Sequence, residues 1–213
     1  MESYFLGDSS ICWQLGTIID KELNKQVLYL YTKLKDSTLK EELHIYDIVP
    51  SFNAIAVYFD AFSSDPYKIK SEIEQFFNSI LESYNGSTLN DFSRVELPVI
   101  YNGEDLQRVA EINNLTKERV IELHCGAEYQ VAMIGFKPHF PYLIGLDPSL
   151  ETPRLDTPRT SIPPGAVAIG GAQTGIYPEK SPGGWNIIGT TDPANLISLK
   201  PGDIITIKRS LEL

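Results

Sequence analysis

The hydrophobic positions in the first part of the chain change period from one segment to the next, and this change predicts alternating strands and helices. Short apolar runs within residues 4–15, at Ile45–Val49 and at Ala54–Phe59 have the length and alternation of half-buried strands. Between the first two runs, apolar residues recur at steps of three and four from Ile19 to Leu34, which places them on one face of a helix.

A second helix is predicted after Asp65-Pro66, because aspartate is a favoured N-cap and proline a favoured first helical residue. Its apolar face consists of Ile69, Ile73, Phe76, Phe77 and Ile80. With a further strand at about Val95–Tyr101, the order becomes β-α-β-β-α-β, which is the split arrangement of ferredoxin-like folds. We therefore predict a ferredoxin-like α/β domain in residues 1–92.

Beyond residue 92 the pattern changes to helices followed by many short strands. Helical spacing at Glu104–Ile112 and Lys117–His124 predicts a helical insert near residues 103–125, which we expect to bridge two domains. Four apolar runs separated by turn residues follow at Val131–Ile134, Ala166–Ile169, Trp185–Gly189 and Ile204–Lys208. This spacing is typical of a β-barrel or sandwich, so residues 93–213 are predicted to form a second domain, and the fold class is α+β.

Proline and glycine are concentrated in one part of this second domain. Ten of the 14 prolines and nine of the 15 glycines lie between Gly135 and Pro193, where arginine, glutamine and aromatic residues are interspersed with them. A polar segment with so many restricted backbone positions holds a surface in a fixed shape. This segment is therefore predicted to carry the functional residues.

The composition narrows the classes of partner. The formal net charge is −10 and no basic stripe is present, which argues against sequence-independent binding to nucleic acid but not against an anionic small ligand. No apolar run has the length of a membrane span and the N-terminus lacks the pattern of a signal peptide, so a cytoplasmic protein without membrane contact is predicted. Cys12, Cys125 and the three histidines are too scattered to predict a disulfide or a metal site.

Two features of the proline- and glycine-rich segment suggest anion binding. The run Gly170–Gly175 offers backbone N–H groups to a phosphate, although it lacks the Lys-Ser/Thr of a Walker motif and also fits a tight turn. Arg154 and Arg159 each follow Thr-Pro and present two guanidinium groups that suit carboxylate or phosphate recognition. The alternative is that these arginines pair with surface acids such as Asp147, Glu151 or Asp156.

Three other side chains carry groups suited to catalysis. His124, near a helix end, is a candidate general acid or base, or else a structural histidine held by hydrogen bonds. Gln173 and Tyr177 stand on either side of Gly175 and either orient a polar ligand with their amide and phenol groups or lock the loop.

The aromatic residues of the same segment also have two interpretations. Phe136, Phe140 and Tyr142 form either core anchors or an exposed hydrophobic rim, because their spacing fits both. Trp185, which follows Ser181-Pro182-Gly183-Gly184, is interpreted as a core residue rather than a platform for a ligand.

In combination these motifs resemble, over nearly the whole chain, the family of allophanate hydrolase subunit 1, the B subunit of 5-oxoprolinase and the bacterial sporulation-kinase inhibitor. The resemblance is carried, in chain order, by Gly7–Ser10, Ile48–Phe52, Val95–Val99, Glu118–Tyr129, Gly135–Leu143, Gly145–Pro148, Thr157–Arg159, Pro163–Gly165, Gln173–Pro178, Ser181–Trp185 and Pro201–Asp203. One departure stands out, because the family usually has glycine where this chain has the bulky, titratable His139.

The resemblance implies that the second domain is a cyclophilin-like β-barrel and that the protein is the non-autonomous B subunit of an ATP-dependent 5-oxoprolinase, a hydrolase in which it acts with a C subunit and an A subunit. ATP would be bound by or with a partner, in a site shared with the C subunit, and the isolated chain would be inactive. The catalytic candidates are then His124, Gln173 and Tyr177, and the substrate- or phosphate-binding candidates are Arg154, Arg159, Gly171, Thr174, Gly175 and Ser181.

The same family implies two alternatives. In one, the barrel binds the dimerisation domain of a sensor histidine kinase and inhibits it through an aromatic interface of Phe136, His139, Phe140 and Tyr142. In the other, the protein is allophanate hydrolase subunit 1, although no amidase Ser-Ser-Lys apparatus is visible. The density of polar groups in the proline- and glycine-rich segment favours the 5-oxoprolinase role.

Overall fold

The computed structural model describes residues 1–86 and 92–212 and divides the chain into two compact units, Met1–Asp91 and Phe92–Leu213. Both units combine helices with a mainly antiparallel sheet, in agreement with the predicted α+β class. No helix in the described ranges is both long enough and apolar enough to cross a membrane.

The first unit contains a four-stranded sheet and three helices. Its elements are β1 (Glu2–Phe5), β2 (Ser10–Gln14), α1 (Lys21–Lys35), α2 (Leu39–Glu42), β3 (Ile45–Pro50), β4 (Ala54–Phe59) and α3 (Pro66–Glu82). Asp20 and Asp65 cap α1 and α3 by accepting hydrogen bonds from backbone N–H groups of the first helical turns. The apolar stripe of each helix packs on one face of the sheet around the buried Trp13, so the predicted periodicity is confirmed.

The strand that follows α3 does not join this sheet, contrary to the predicted β-α-β-β-α-β order. All four strands are antiparallel, in the order β1-β2-β4-β3. The N-terminal strand β1 therefore forms one edge of the sheet and pairs with β2. The strand expected near 95–101 forms as β5 (Arg94–Val99) and pairs in parallel with a strand of the second unit. The prediction failed because apolar alternation identifies a strand but does not identify its pairing partner.

The second unit is built on a seven-stranded sheet with the order β12-β9-β10-β7-β6-β13-β5. After β5 its elements are α4 (Leu106–Ile112), α5 (Lys117–Gly126), β6 (Glu128–Ile134), β7 (Pro141–Ile144), β8 (Arg159–Ile162), β9 (Ala166–Gly170), β10 (Gln173–Ile176), β11 (Ser181–Gly183), β12 (Asn186–Thr190) and β13 (Ile204–Arg209). Strands β8 and β11 form a separate two-stranded ribbon.

The sheet curls until its two edges meet, as a cyclophilin-like barrel requires. Ile100, just after β5, and Thr190, at the end of β12, exchange backbone hydrogen bonds of 2.9 and 2.8 Å. Gly189 allows this close approach, since a Cβ there would lie 2.6 Å from the carbonyl oxygen of Ile100.

The helical insert belongs to this second unit. Leu106 and Val109 of α4 and Val120 of α5 are buried in the same cluster as the apolar residues of β5, β6 and β13. The expectation that the insert bridges two domains is therefore wrong. Its apolar positions are needed to cover one face of the barrel sheet.

Side chains of the barrel strands alternate between two apolar clusters. In β9, Val167 and Ile169 pack with α4 and α5, whereas Ala166 and Ala168 belong to a second, aromatic-rich cluster with Phe140. The ribbon β8–β11 contributes Ile162 to this second cluster. The aromatic-rich face is where most of the proline- and glycine-rich segment converges.

Candidate functional site

The aromatic-rich face of the barrel carries a small open cavity of about 110 Å³, here called the aromatic pocket. It lies among short strands and loops that the sequence places far apart. Its lining consists of Phe136, Phe140, Tyr142, Arg154, Tyr177, Pro182, Gly183, Gly184 and Trp185. Four of the predicted site or interface aromatics are thus brought together with one of the two predicted arginines.

The indole of Trp185 forms one wall of the aromatic pocket, and two glycines make room for it. A Cβ at Gly170 would lie 2.5 Å from the indole Cε2, and one at Gly175 would lie 3.0 Å from its Cζ3. Both glycines sit in strands, where they are normally unfavourable, so their presence reflects the close approach of the ring. Trp185 is nearly buried, as its interpretation as a core residue requires, and it also lines the pocket.

The loop between β6 and β7 places a second aromatic layer at the mouth. Phe136 is 56% exposed, and its ring packs edge-on against Phe140 and Tyr177, with centroid distances of 5.5 and 6.3 Å. Phe140 is buried at the base of the cluster, so the rim interpretation holds for Phe136 and not for Phe140. His139 is exposed and lies outside the pocket, in a neighbouring groove with Pro138.

Arg154 lies over the indole ring of Trp185. Its guanidinium carbon is 5.6 Å from the centre of the indole, a distance at which a cation is attracted to the ring face. No carboxylate in the described part of the second unit forms an ion pair with it. The stacked guanidinium therefore presents its N–H groups at the pocket mouth.

Arg159, the other predicted arginine, is fully engaged by the protein. It donates to Asp105 at 2.8 Å and forms an ion pair with Glu104 at 2.9 Å. Asp105 in turn accepts a 2.7 Å bond from the backbone N–H of Ile187 in β12. The salt-bridge alternative thus describes Arg159, although its partners precede α4 and are not the acids expected near residues 147–156.

Tyr177 is a buried member of the aromatic pocket. Burial raises its pKa to about 12, and burial likewise raises the pKa of Tyr142. Both phenols are therefore neutral near pH 7 and act as hydrogen-bonding groups. Arg154 is the charged group of the lining at that pH.

His124 lies outside the aromatic pocket and is completely buried. The Thr174 hydroxyl donates to the Ala168 carbonyl at 3.0 Å and therefore accepts from His124 Nε2 at 3.2 Å. His124 Nδ1 then accepts from the Tyr101 hydroxyl at 2.7 Å, and that hydroxyl lies 3.2 Å from Cys125 Sγ. Burial lowers the pKa of His124 to about 3. With both ring nitrogens occupied by protein groups, the contacts assign His124 a structural role instead of proton transfer to a substrate.

The predicted phosphate-binding run is a β-hairpin. Gly171, with φ of 64°, turns the chain from β9 into β10, and its N–H donates to the Thr152 carbonyl at 2.8 Å. That N–H is consequently not available to a phosphate. The tight-turn alternative accounts for the glycines, because Gly171 supplies the positive φ and Gly175 the space for Trp185.

The remaining candidates occupy separate positions. Gln173 is half-buried at the start of β10, and strand alternation places it on the same face as Tyr177, outside the pocket lining. Ser181 is buried and its hydroxyl donates to the Glu179 carbonyl at 3.4 Å. Asp105 was missed because the predicted helix began at Glu104 and so included it. In the structure it directly precedes α4, and its side chain holds Arg159 instead of capping the helix.

Residues 1–197 match the sequence model of a protein family, the carboxyltransferase domain, subdomain C and D. The chain belongs to this family. A relative from Bacillus subtilis (strain 168), named as the B subunit of 5-oxoprolinase, is 34% identical, with 97% of this chain and 92% of the relative covered. A protein of the same name from Haemophilus influenzae is 44% identical over 73% of this chain and 72% of its own length. Because both are named as a B subunit, these relatives belong to multi-subunit assemblies.

Two solved structures have the same fold. The crystal structure of TTHA0988 superposes with a TM-score of 0.78 and 30% identity, covering 96% of this chain. This chain spans only 40% of that one. The urea amidolyase of Kluyveromyces lactis matches with a TM-score of 0.81 at 17% identity, over 98% of this chain and 15% of the amidolyase. At that identity the amidolyase supports the fold alone.

Proposed function

We propose that this protein is the B subunit of an ATP-dependent 5-oxoprolinase, which converts 5-oxo-L-proline, ATP and water into L-glutamate, ADP and phosphate. The observation that carries the proposal is the family membership together with relatives of that name at 34% and 44% identity. The aromatic pocket supports it, because a small cavity with apolar walls and one exposed cation suits a compact ring that bears a carboxylate.

The protein contributes binding and orientation rather than proton transfer. The ring-opening of a lactam needs a proton donor and acceptor that can reach the amide. His124 is enclosed by protein groups, and Tyr177 stays neutral until well above physiological pH. We therefore propose that the acid–base groups come from the C subunit or the A subunit, and that the isolated chain has no 5-oxoprolinase activity.

The residues of this chain do not fit the triphosphate of ATP. A triphosphate site needs several free backbone N–H groups or cationic side chains. In the described part of the chain the Gly171 N–H is bonded to Thr152, and Arg159 is bonded to Asp105. We therefore assign ATP binding to another member of the complex.

Reconstitution tests the proposal directly. The protein is co-expressed with homologues of the C and A subunits, the complex is purified, and glutamate and ADP formation from 5-oxo-L-proline are measured. We expect a stable complex in which hydrolysis requires ATP and all three proteins, together with rescue of a strain that lacks its own B subunit. A complex that forms without 5-oxoproline-dependent ADP release would refute the reaction. Failure of rescue with suppressed autophosphorylation of a sensor histidine kinase would favour the kinase-inhibitor role.

A further inference from the structure

The arginines of the second unit differ in whether their guanidinium groups are paired with other side chains. Arg154 is the one arginine of the described chain for which neither an ion-pair nor a hydrogen-bond partner is found. The others have partners within the unit: Arg94 with Glu128, Arg108 with Asn186, Arg119 with Glu122, Arg159 with Asp105, and Arg209 with Glu118. An unpaired guanidinium held against an indole is a preorganised anion-binding group.

From this arrangement we infer that the aromatic pocket binds a small cyclic carboxylate, with the ligand carboxylate paired to Arg154 and the ring packed against Trp185 and Phe136. Taking 5-oxo-L-proline as that ligand rests on the proposed function. The ligand class rests on the pocket itself.

The size of the pocket limits the body of the ligand. A cavity of about 110 Å³ is well below the roughly 300 to 1,000 Å³ that is typical of sites for drug-sized molecules. A single five- or six-membered ring fills such a space, whereas a nucleoside would extend beyond it. The aromatic walls favour a flat or apolar ring face over a strongly hydrated chain.

The charge of the lining selects an anion over a cation. Aromatic cages often hold quaternary ammonium groups, but those sites attract the cation through exposed ring faces. Here Arg154 already lies over the Trp185 ring, 5.6 Å from its centre, and none of the described residues that line the pocket is acidic. A second cation would be repelled, while a carboxylate can accept two parallel N–H bonds from the guanidinium.

Calorimetry on the purified protein and on its complex tests the inference with three probes. 5-Oxo-L-proline carries both ring and carboxylate, 2-pyrrolidinone lacks the carboxylate, and cyclopentanecarboxylate lacks the lactam. We expect the two carboxylates to bind at least about 10-fold more tightly than 2-pyrrolidinone, since charge-assisted hydrogen bonds are stronger than neutral ones. Arg154→Gln should reduce that preference to about 2-fold or less, and Arg154→Lys should retain part of it.

The matched control is Arg209→Gln, which removes an exposed guanidinium paired with Glu118 and should leave binding unchanged. Equal binding of all three probes, or an Arg154→Gln protein with wild-type carboxylate affinity, would overturn the inference. So would loss of complex assembly in Arg154→Gln with no change in ligand affinity, because Arg154 would then belong to an interface with a partner protein.

The outcomes also separate this inference from the proposed function. If the complex hydrolyses 5-oxo-L-proline but Arg154→Gln leaves KM unchanged, the inference fails and the function stands. If no hydrolysis occurs yet cyclopentanecarboxylate binds in an Arg154-dependent manner, the pocket assignment stands and the function fails. With both correct, Arg154→Gln should raise KM at least about 10-fold while kcat changes less.

Discussion

Two residues of the loop between β6 and β7 adopt a backbone conformation that normally belongs to glycine. Phe136 has φ of 68° and His139 has φ of 65°. A left-handed conformation costs a residue with a Cβ roughly 1–2 kcal/mol. For Phe136 this cost is offset by packing, since the turn directs its ring over Phe140 and Tyr177. For His139, which is exposed, the structure shows no comparable ring contact, so its conformation is strained without an evident compensation.

Replacing His139 by glycine should therefore stabilise the protein. We expect His139→Gly to raise the free energy of unfolding by about 0.5–1 kcal/mol, the relief of strain being partly offset by the greater freedom of glycine in the unfolded chain. Urea unfolding at pH 7 measures the difference. Lys137→Gly, in the same loop but without a positive φ, should instead destabilise. A destabilised His139→Gly protein would mean that the histidine makes a contact that compensates for its conformation.

The buried His124 makes stability depend on pH. In the unfolded chain a histidine protonates near pH ~6.5, whereas burial lowers the pKa of His124 in the folded protein to about 3. Below that unfolded pKa the unfolded state therefore binds a proton that the folded state does not, and stability falls as the pH falls. The expected contribution approaches about 1.4 kcal/mol per pH unit. Urea unfolding between about pH 6.5 and pH 4.5 should show a steeper decline for the wild type than for His124→Gln. Equal slopes would show that His124 titrates normally.

At the scale of elements, the most informative link ties the ribbon β8–β11 to the barrel. Arg159 begins β8, and Asp105 lies at the start of α4, but both meet at the N-terminal end of β12, where Asp105 also accepts from the Ile187 N–H. One carboxylate thus joins three elements. Because Asp105 is buried, removal of either partner leaves a charge or an N–H group without its bond.

A double-mutant cycle of Asp105→Ala and Arg159→Ala should therefore reveal strong coupling. We expect an interaction free energy of about 2 kcal/mol, within the range for buried, hydrogen-bonded pairs. The exposed pair Arg209 and Glu118 serves as the control and should couple by less than about 1 kcal/mol. If the two cycles give the same small value, Arg159 is not held by Asp105 in solution, and its assignment as a ligand-binding residue would reopen.

The sequence predicted the long elements well and the proline- and glycine-rich segment poorly. Strands β7 and β10 have only four residues each, and they contain Pro141 and Gly175, which normally indicate turns. Gly175 lies in a strand because Trp185 packs against it, and this contact is not visible locally. Likewise, the two arginines after Thr-Pro have the same local sequence. They differ because Arg159 donates to Asp105, which lies 54 residues earlier in the chain.

At the scale of the whole molecule, each unit has apolar clusters made only of its own residues. The core of the first unit uses residues between Ile11 and Leu81, and the two clusters of the second use residues between Val95 and Ile207. The barrel edges close within the second unit through Ile100 and Thr190. The strand β5 pairs along its whole length with β13, so nothing in the barrel sheet needs a strand from the first unit.

We therefore predict that residues 92–213 fold when expressed alone. Cooperative urea unfolding and a near-ultraviolet circular dichroism spectrum from packed aromatics would demonstrate a fixed core. A fragment beginning at Asn102 is the matched control. It lacks β5 and with it the buried Leu97 and Val99, and it exposes the edge of β13, so it should aggregate or unfold non-cooperatively. If the longer fragment also fails to unfold cooperatively, the barrel depends on the first unit despite its self-contained core.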